Sequence, residues 1–452
     1  MDIIITGLGS VGSTLVKELT EEGHSVVVID IDATKVENAV NNFDVKGVVG
    51  NGASNDVLEE AGVASADLFI AATTRDEMNI LCCIIAKKHG VKKTIARTSQ
   101  AVYEDLFSDD SELGLNMMVN PQQEAAHEIS RMLRFPSAIK VDQFSEGKVE
   151  LIEFMVDANS KLVGLALKNI REKFKSKVLI CAAQRDDKPI IPDGNFVIQA
   201  EDRLFLTATT KDISAFFKEL GWNKASKDVI IVGGSTTARY LCKEIAKAGI
   251  SIKLIEQNEA RARFLGEELD HTEVIHGDGT NQELLLDEGI DSADAFVALG
   301  NIDEQNIIMS MFANSRNVPK VITKIDQLSY HDILQKSGIY SVVSTKTSAA
   351  DQIVRFVRLL GNKKGSGVKR LFHIIDNTTE ILEFEAEKNF HRFDVPLQDL
   401  RVNLKDDLLI AGIIRDEELI TPTGQDVIKE GDSVIVVTLE EGFDNLNDIL
   451  NF

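Results

Sequence analysis

The sequence predicts an α/β chain in which a doubly wound parallel-sheet domain is followed by a small α+β, β-rich domain and the pair is then repeated. Three observations carry this prediction. Strand-like and helix-like segments alternate through residues 1–136, the pattern of a parallel sheet with crossover helices. The same landmarks return in the same order about 226 residues later. Each alternating region then gives way to about 85 residues of β-branched runs that share a Pro-x-Gly turn.

Taken in order, strands are expected at Ile3 to Thr6, Val26 to Asp30, Gly47 to Val49, Leu68 to Ala72, Thr94 to Arg97 and Met117 to Val119, with helical periodicity between them. Asn120-Pro121 opens a further helix, Asn as cap and Pro at the first helical position, and Pro136 ends it. Ala125, Ala126, Ile129, Met132 and Leu133 share one face of that helix, an apolar stripe directed at a neighbouring subunit or at the β-rich domain. In the first β-rich domain, strands at Val178 to Ala183 and Arg203 to Ala208 flank Pro192-Asp-Gly194 and Glu201-Asp202.

The repeat begins at Asp228, where Asp228-Val-Ile-Ile-Val-Gly233 answers Asp2-Ile-Ile-Ile-Thr-Gly7 at an offset of 226. Ile252 to Glu256 answers Val26 to Asp30, Gly277-Asp278-Gly279-Thr280 answers Gly50-Asn51-Gly52-Ala53, and Asp303-Glu304-Gln-Asn306 answers Asp76-Glu77-Met-Asn79. Lys324 falls opposite Arg97. Ser344 to Leu360 repeats the exit helix, and Gly361 to Gly367 reads as a flexible linker. Strands at Leu408 to Ile414 and Ser433 to Thr438 flank Pro422-Thr-Gly424 and Gly431-Asp432. The expected domains are therefore 1–136, 137–222, 223–361 and 362–452.

Composition narrows the function classes. Of 452 residues, 44% are hydrophobic and 27% charged, enough apolar surface to bury several cores. The net charge of −23 repels a phosphate backbone and an anionic leaflet, which disfavours a nucleic-acid binder. No apolar run approaches the roughly 20 residues of a spanning helix, and Met1 is followed at once by a strand rather than a secretion signal, so the expectation is a soluble, cytoplasmic chain without membrane insertion. Cys82, Cys83, Cys181 and Cys242 form no C-x-x-C pair; core packing is expected of them, and no metal site.

The chemical signal lies at the end of the first strand. Gly7-x-Gly9-x-x-Gly12 bridges strand and helix, and Asp30 stands at the tip of the second strand. Gly7 permits the tight turn, Gly9 lets the backbone approach a pyrophosphate, and Gly12 lets helix and strand pack; the amides of Ser10 and Val11 open the helix toward an anion. This is the Rossmann-like dinucleotide fingerprint, and Asp30 would accept the ribose hydroxyls, favouring NAD over NADP. The alternative for Asp30 is a turn cap. Gly52 and Ala53, in the turn after the third strand, are placed beside the adenine or are simple turn-formers. Thr73, Thr74 and Glu77 follow the fourth strand at the switch point and can face the phosphates, whereas Asp76, Glu77 and Asn79 equally suit capping of the next helix. Arg97 is a cation for a phosphate or for an acidic group across an interface.

In the second copy, Gly233, Glu256, Asp278 and Gly279 keep the pattern, but Ser235 replaces the middle glycine and Ala238 the last. A side chain at the pyrophosphate position predicts a weaker, mononucleotide-type or empty second site. His276 stands where the first copy has Val49 and is read as incidental. No catalytic constellation is visible: the eight histidines are scattered, and the carboxylates of Glu383 to Glu387 alternate with apolar residues as on the wet face of a strand. From these residues, an NAD-dependent oxidoreductase of unknown substrate and a free-standing soluble nucleotide sensor remain open as rivals to a regulatory role.

The duplicated arrangement, with the glycine fingerprint, Asp30, the Gly-Asn-Gly-Ala-Ser turn, the Asp-Glu-x-Asn motif and the Pro-x-Gly…Gly-Asp turns, resembles the TrkA family over the whole chain. These are peripheral NAD-binding subunits of the Trk potassium-uptake system, with regulator-of-potassium-conductance (RCK) domains in tandem. The resemblance implies a non-enzymatic regulator on the cytoplasmic face of the cell membrane that gates a TrkH-like pore subunit through nucleotide-dependent changes in a homo-oligomeric ring, expected to be a tetramer. It implies NAD or NADH as ligand, with ATP or ADP competing for the same crevice, and carries the ligand positions onto Gly7, Gly9, Gly12, Asp30 and Arg97.

Overall fold

The computed structural model describes all residues except 101, 104–114, 223–225, 328–329, 362–366, 376–377, 441 and 452. The expected linker at 361–367 therefore lies largely outside the described residues. The chain divides into two compact units, Met1–Ser130 with Asp228–Val357, and Arg131–Lys227 with Arg358–Phe452. Each unit gathers the two copies of one domain type.

In the first unit, β1 (Asp2–Thr6), α1 (Ser10–Glu21), β2 (Ser25–Asp30), α2 (Ala33–Asn42), β3 (Val45–Val49), α3 (Asn55–Glu60), β4 (Leu68–Ala71), α4 (Asp76–Lys88), β5 (Lys93–Arg97), β6 (Met117–Val119) and α5 (Pro121–Arg134) follow in order. The strands form one parallel sheet, β3-β2-β1-β4-β5-β6, so the chain reverses direction between β1 and β4 and leaves a crevice at their carboxyl ends. Ile3, Ile4 and Ile5 are buried on both faces, which is why β1 is an unbroken β-branched run. Asn120 accepts at its Oδ1 from the amides of Gln122 and Gln123, both at 3.2 Å, and caps α5 as expected.

The first copy of the β-rich domain contributes β7 (Lys140–Phe144), β8 (Val149–Met155), α6 (Ile170–Lys173), β9 (Leu179–Arg185), β10 (Lys188–Ile190), β11 (Arg203–Ala208) and α7 (Thr210–Leu220). The second parallel-sheet copy contributes β12 (Asp228–Val232), α8 (Thr236–Ile245), β13 (Ser251–Glu256), α9 (Glu259–Glu268), β14 (Thr272–His276), α10 (Gln282–Asp287), β15 (Ala295–Ala298), α11 (Asp303–Ser315), β16 (Lys320–Lys324), α12 (His331–Lys336), β17 (Ser341–Val343) and α13 (Thr345–Gly361). Its sheet order, β14-β13-β12-β15-β16-β17, repeats the first. The last domain holds β18 (Val368–Ile374), β19 (Thr379–Glu385), α14 (Leu397–Leu400), β20 (Leu408–Arg415), β21 (Glu418–Ile420) and β22 (Ser433–Thr438).

The apolar stripe of α5 is buried, and at the end of the helix Arg134 pairs with Glu150 of the β-rich domain at 3.3 Å, one of the two directions expected, while the polar flank nearer its start has a partner that was not expected. It meets the other parallel-sheet copy of the same chain: Asn120 Nδ2 donates to Tyr240 Oη at 3.1 Å, His127 Nδ1 lies 2.7 Å from Glu244, and Ser348 Oγ donates to Glu128 at 2.7 Å.

In the second unit the antiparallel sheets β10-β9-β11-β8-β7 and β18-β19-β22-β20-β21 share a core of Phe144, Leu151, Phe205, Phe372, Ile381 and Ile435. The Phe144 and Phe372 rings are 4.3 Å apart. This packing corrects the reading of Glu383 as a solvated strand residue. Glu383 is buried, and accepts hydrogen bonds from the Ser145 and Ser433 hydroxyls at 2.5 and 2.6 Å, because both faces of its sheet are covered. The Gly-Asp signature also gains a cause: buried Asp202 and Asp432 each accept two bonds from Arg185 and Arg415 at 2.7–2.8 Å.

Candidate functional site

The crevice of the first copy is built by four loops at the strand ends. Gly7 has φ +95°, and a Cβ there would lie 2.6 Å from the Thr73 amide nitrogen, so only glycine fits the turn. Gly12 is equally constrained, since its Cβ would lie 1.9 Å from the Gly7 carbonyl oxygen. Gly9 differs: it has ordinary extended geometry, and a Cβ would meet nothing within 4 Å. The protein has no packing reason for glycine at 9, and the open space above it is where a ligand's backbone-close group fits.

Gly9 caps α1 without a side-chain hydrogen bond, and the first intrahelical bond runs from Ser13 N–H to Gly9 O at 2.9 Å. The amides of Ser10, Val11 and Gly12 are therefore the helix's unpaired donors. Val11's side chain is buried, so it serves the site through its backbone. Asp30 accepts from the Leu8 amide at 2.6 Å and the Asp32 amide at 2.9 Å, which fixes the carboxylate at the crevice edge with lone pairs to spare for ribose hydroxyls.

Gly52 lies against β1, where a Cβ would come 2.2 Å from Thr6 Oγ1, and Asn51 closes the turn by accepting from the Ala53 amide at 3.0 Å. Packing thus accounts for this glycine as well as its position beside the crevice. The Asp-Glu-x-Asn motif does something neither expectation covered. Buried Asn79 accepts from the Thr73 amide and hydroxyl at 2.9 and 2.6 Å, and donates to the Thr73 and Arg97 carbonyls at 3.1 and 2.8 Å, tying the ends of β4 and β5 together. Asp76 accepts from the Ser99 amide and hydroxyl at 2.9 and 2.8 Å. Glu77 accepts from Tyr103 Oη at 3.2 Å, and Thr74 is exposed. The sign of this tie in the sequence was its recurrence as Asn306, which bonds Gly300 and Lys324 in the same way.

Arg97 donates from Nη1 to the Thr73 carbonyl at 2.9 Å, while its buried Nε has no partner among the described residues. Burial lowers the guanidinium's pKa, opposed by the charge of Asp76. A half-buried cation with an unmet donor beside free helix amides suits a phosphate.

The second crevice repeats the frame with a volume of about 650 Å³. Gly233 has φ +99°, and Glu256 accepts from the Gly234 and Asn258 amides, both at 2.6 Å. Gly279 packs on Val232, and the Asp278 side chain accepts from the Thr280 amide at 2.9 Å. Ser235 places its side chain in the space left open over Gly9, and its hydroxyl accepts from the Ala238 amide at 3.3 Å, using one of the donors a phosphate would take. Arg261, which sequence reasoning passed over, lines this crevice and donates to the Gly234 carbonyl at 2.9 Å. His276 is exposed and meets only the Gln257 carbonyl at 3.1 Å among its described contacts.

All four cysteines are buried, and burial pushes the Cys82, Cys181 and Cys242 thiols up to about 12. Among the described residues no three His, Cys, Asp or Glu side chains gather as a metal site, and no helix is long and apolar enough to cross a membrane.

Comparison with known proteins agrees with this frame. The TrkA-N domain family matches residues 3–121 and 229–345, and the TrkA-C domain family residues 151–221 and 383–451. The chain is 30% identical over 449 residues to the Trk system potassium uptake protein TrkA homolog 1 of Methanosarcina mazei, covering 97% of both. It is 30% identical to the Trk system potassium uptake protein TrkA of Halomonas elongata, covering 98% of this chain and 96% of that one. Its fold is similar to the GsuK RCK domain, with a TM-score of 0.62 at 19% identity, covering 96% of this chain and 92% of that one. It is also similar to the GsuK channel bound to NAD, with a TM-score of 0.62 at 17% identity over 97% and 76%. Two matches to each domain family, in alternation, and full-length relatives at this identity establish that the chain belongs to the TrkA family.

Proposed function

We propose that the chain is the cytoplasmic, nucleotide-binding regulatory subunit of a potassium-uptake transporter, held at the inner face of the membrane by a TrkH-like pore subunit and without catalytic activity of its own. The observation that carries the reading is the open space over Gly9, flanked by free α1 amides, anchored Asp30 and the unmet donor of Arg97. These residues fit NAD or NADH, with ATP or ADP in the same crevice: α1 amides and Arg97 for phosphates, Asp30 for ribose. The assembly is taken to be a homo-oligomeric ring of four copies; Leu81 on α4 and Ile308 and Met311 on α11, exposed apolar residues in matching places, are surfaces for its neighbours to cover.

In such a ring a nucleotide acts only through differential affinity: it shifts the transporter toward open or closed by as much as it binds one ring shape better than the other. Calorimetry on the purified chain is expected to show NADH and ATP competing. Asp30→Ala is expected to weaken both about tenfold or more, the loss of a charge-assisted hydrogen-bond pair; unchanged affinity would remove Asp30 from the site. Affinity capture from membranes is expected to bring down a potassium transporter, and bound NADH to be released unchanged in the presence of metabolites. Consumption of NADH would point instead to an oxidoreductase.

A further inference from the structure

Ser99 stands two residues past Arg97, on the chain that leaves β5. Its amide and hydroxyl donate to Asp76 at 2.9 and 2.8 Å, and the charge of Asp76 acts on the Arg97 guanidinium. The Ser99 carbonyl is held from elsewhere. It accepts at 3.1 Å from Tyr240 Oη, and Tyr240 stands on α8 of the second copy. The same hydroxyl accepts at 3.1 Å from Asn120 Nδ2, whose Oδ1 caps α5. One phenol of the second copy thus joins the end of β5 to the start of α5 in the first, using its hydroxyl both as donor and as acceptor.

The second copy holds the corresponding position by itself. Asp326 stands where the first copy has Ser99, and its carbonyl accepts from Lys346 Nζ at 3.2 Å. Its carboxylate accepts from the Ser344 hydroxyl at 3.3 Å, and its amide donates to Asp303 at 2.8 Å. All of these residues belong to the second copy. Thr14, the counterpart of Tyr240 on α1, donates its hydroxyl to the Ser10 carbonyl of its own helix at 3.0 Å. Tyr240 is also not a residue of the crevice of its own copy, which Ser235 and Thr236 line at the start of α8.

We propose that Tyr240 is a positioning residue of the first crevice supplied by the second copy: its hydroxyl fixes Ser99, and with it the orientation of Arg97 toward a nucleotide phosphate. Without the hydroxyl, the Ser99 carbonyl and the Asn120 amide lose their shared partner, and the chain beyond β5 and the carboxylate it holds opposite Arg97 are less restrained. Part of the binding free energy then goes into ordering Arg97. The nucleoside end, where the Leu8 and Asp32 amides hold Asp30, lies outside this chain of bonds. The first parallel-sheet domain alone carries the glycine fingerprint but not the complete site. The inference rests on the reading of the first crevice as a nucleotide site.

The test is a double-mutant cycle, read by calorimetric titration of the full chain with NADH in a Glu256→Ala background that cripples the second crevice. Tyr240→Phe keeps the ring and its packing and is expected to weaken NADH about tenfold, the loss of one hydrogen bond that positions a charged group. Arg97→Gln is expected to weaken it about tenfold or more. In the chain that already carries Arg97→Gln, adding Tyr240→Phe is expected to change NADH affinity by no more than about twofold, because the phenol acts through the side chain already removed. Lys346→Met, the corresponding loss in the second copy, is expected to leave NADH affinity in the first crevice within about twofold. An unmoved affinity on Tyr240→Phe, additive losses in the cycle, or an equal loss on Lys346→Met overturns the proposal. Absence of NADH binding in the Glu256→Ala chain, or an unmoved affinity on Arg97→Gln, overturns instead the reading of the first crevice on which it rests.

Discussion

Gly9 and Ser235 occupy the same position in the two copies, and the pair separates a ligand's needs from the protein's. Gly9 has ordinary backbone geometry and room for a Cβ, so serine can stand there without strain, as Ser235 does in the second copy. Gly9→Ser is therefore expected to leave the thermal midpoint unchanged or slightly higher, worth a few tenths of a kcal/mol through the new cap, while nucleotide affinity in the first crevice falls about tenfold or more. Differential scanning calorimetry and nucleotide titration on one sample check both halves. A combined loss of stability and affinity would mean that the glycine serves packing.

Residue-scale comparison also exposes strain. Glu201 sits at φ +67°, a left-handed conformation that costs a non-glycine residue about 1 kcal/mol or more, whereas its counterpart Gly431 adopts φ +85° freely. Glu201→Gly is expected to stabilise the fold by about 0.5–1 kcal/mol, read as a higher urea midpoint with an unchanged slope.

Between elements, the α8–α9 contact of the second copy is pinned by charge. Glu268 accepts from Arg239 and from Lys243 Nζ at 2.6 Å, and these hydrogen bonds pull its pKa down to about 2 from an ordinary value of 4.5. A carboxylate whose folded pKa is depressed stabilises the fold above its unfolded pKa and loses that contribution as pH falls through the folded value. Glu268→Gln is thus expected to be less stable than the parent at neutral pH, with the gap closing between about pH 4.5 and 2. Denaturant titrations at several pH values test the sign, and a gap that widened on acidification would exclude this pair as the anchor. The same pair shows where sequence reading stops: Arg239 and Glu268 are 29 residues apart, on two helices whose polar faces gave no sign of which cation meets which carboxylate.

In the whole molecule, like pairs with like. Asn79 and Asn306 tie together the ends of the two strands next to the switch point in each parallel sheet, and the two β-rich domains share a core through Phe144 and Phe372. Phe144 is fully buried with its ring against the other copy, so Phe144→Ala is expected to cost about 3–5 kcal/mol, measured as a lower denaturation midpoint. A cost below about 1 kcal/mol would mean that the two copies are held together elsewhere.

Much of this architecture is legible in residue order because it follows from local rules and from repetition. β-Branched runs such as Ile3 to Ile5, the cap at Asn120 and the glycine spacing around Gly7 each encode their element within a few residues, and the repeat then doubles the evidence for the topology. What residue order does not encode is which surface meets which. Glu383 alternates with apolar neighbours as a solvated residue would, yet the facing sheet buries it; Asn79 looks like a helix cap, yet it joins two strands; Arg261 looks like a solvated helix residue, yet it lines a crevice. Burial and charge pairing depend on distances between segments far apart in the chain, and those distances exist only once both copies have folded against one another.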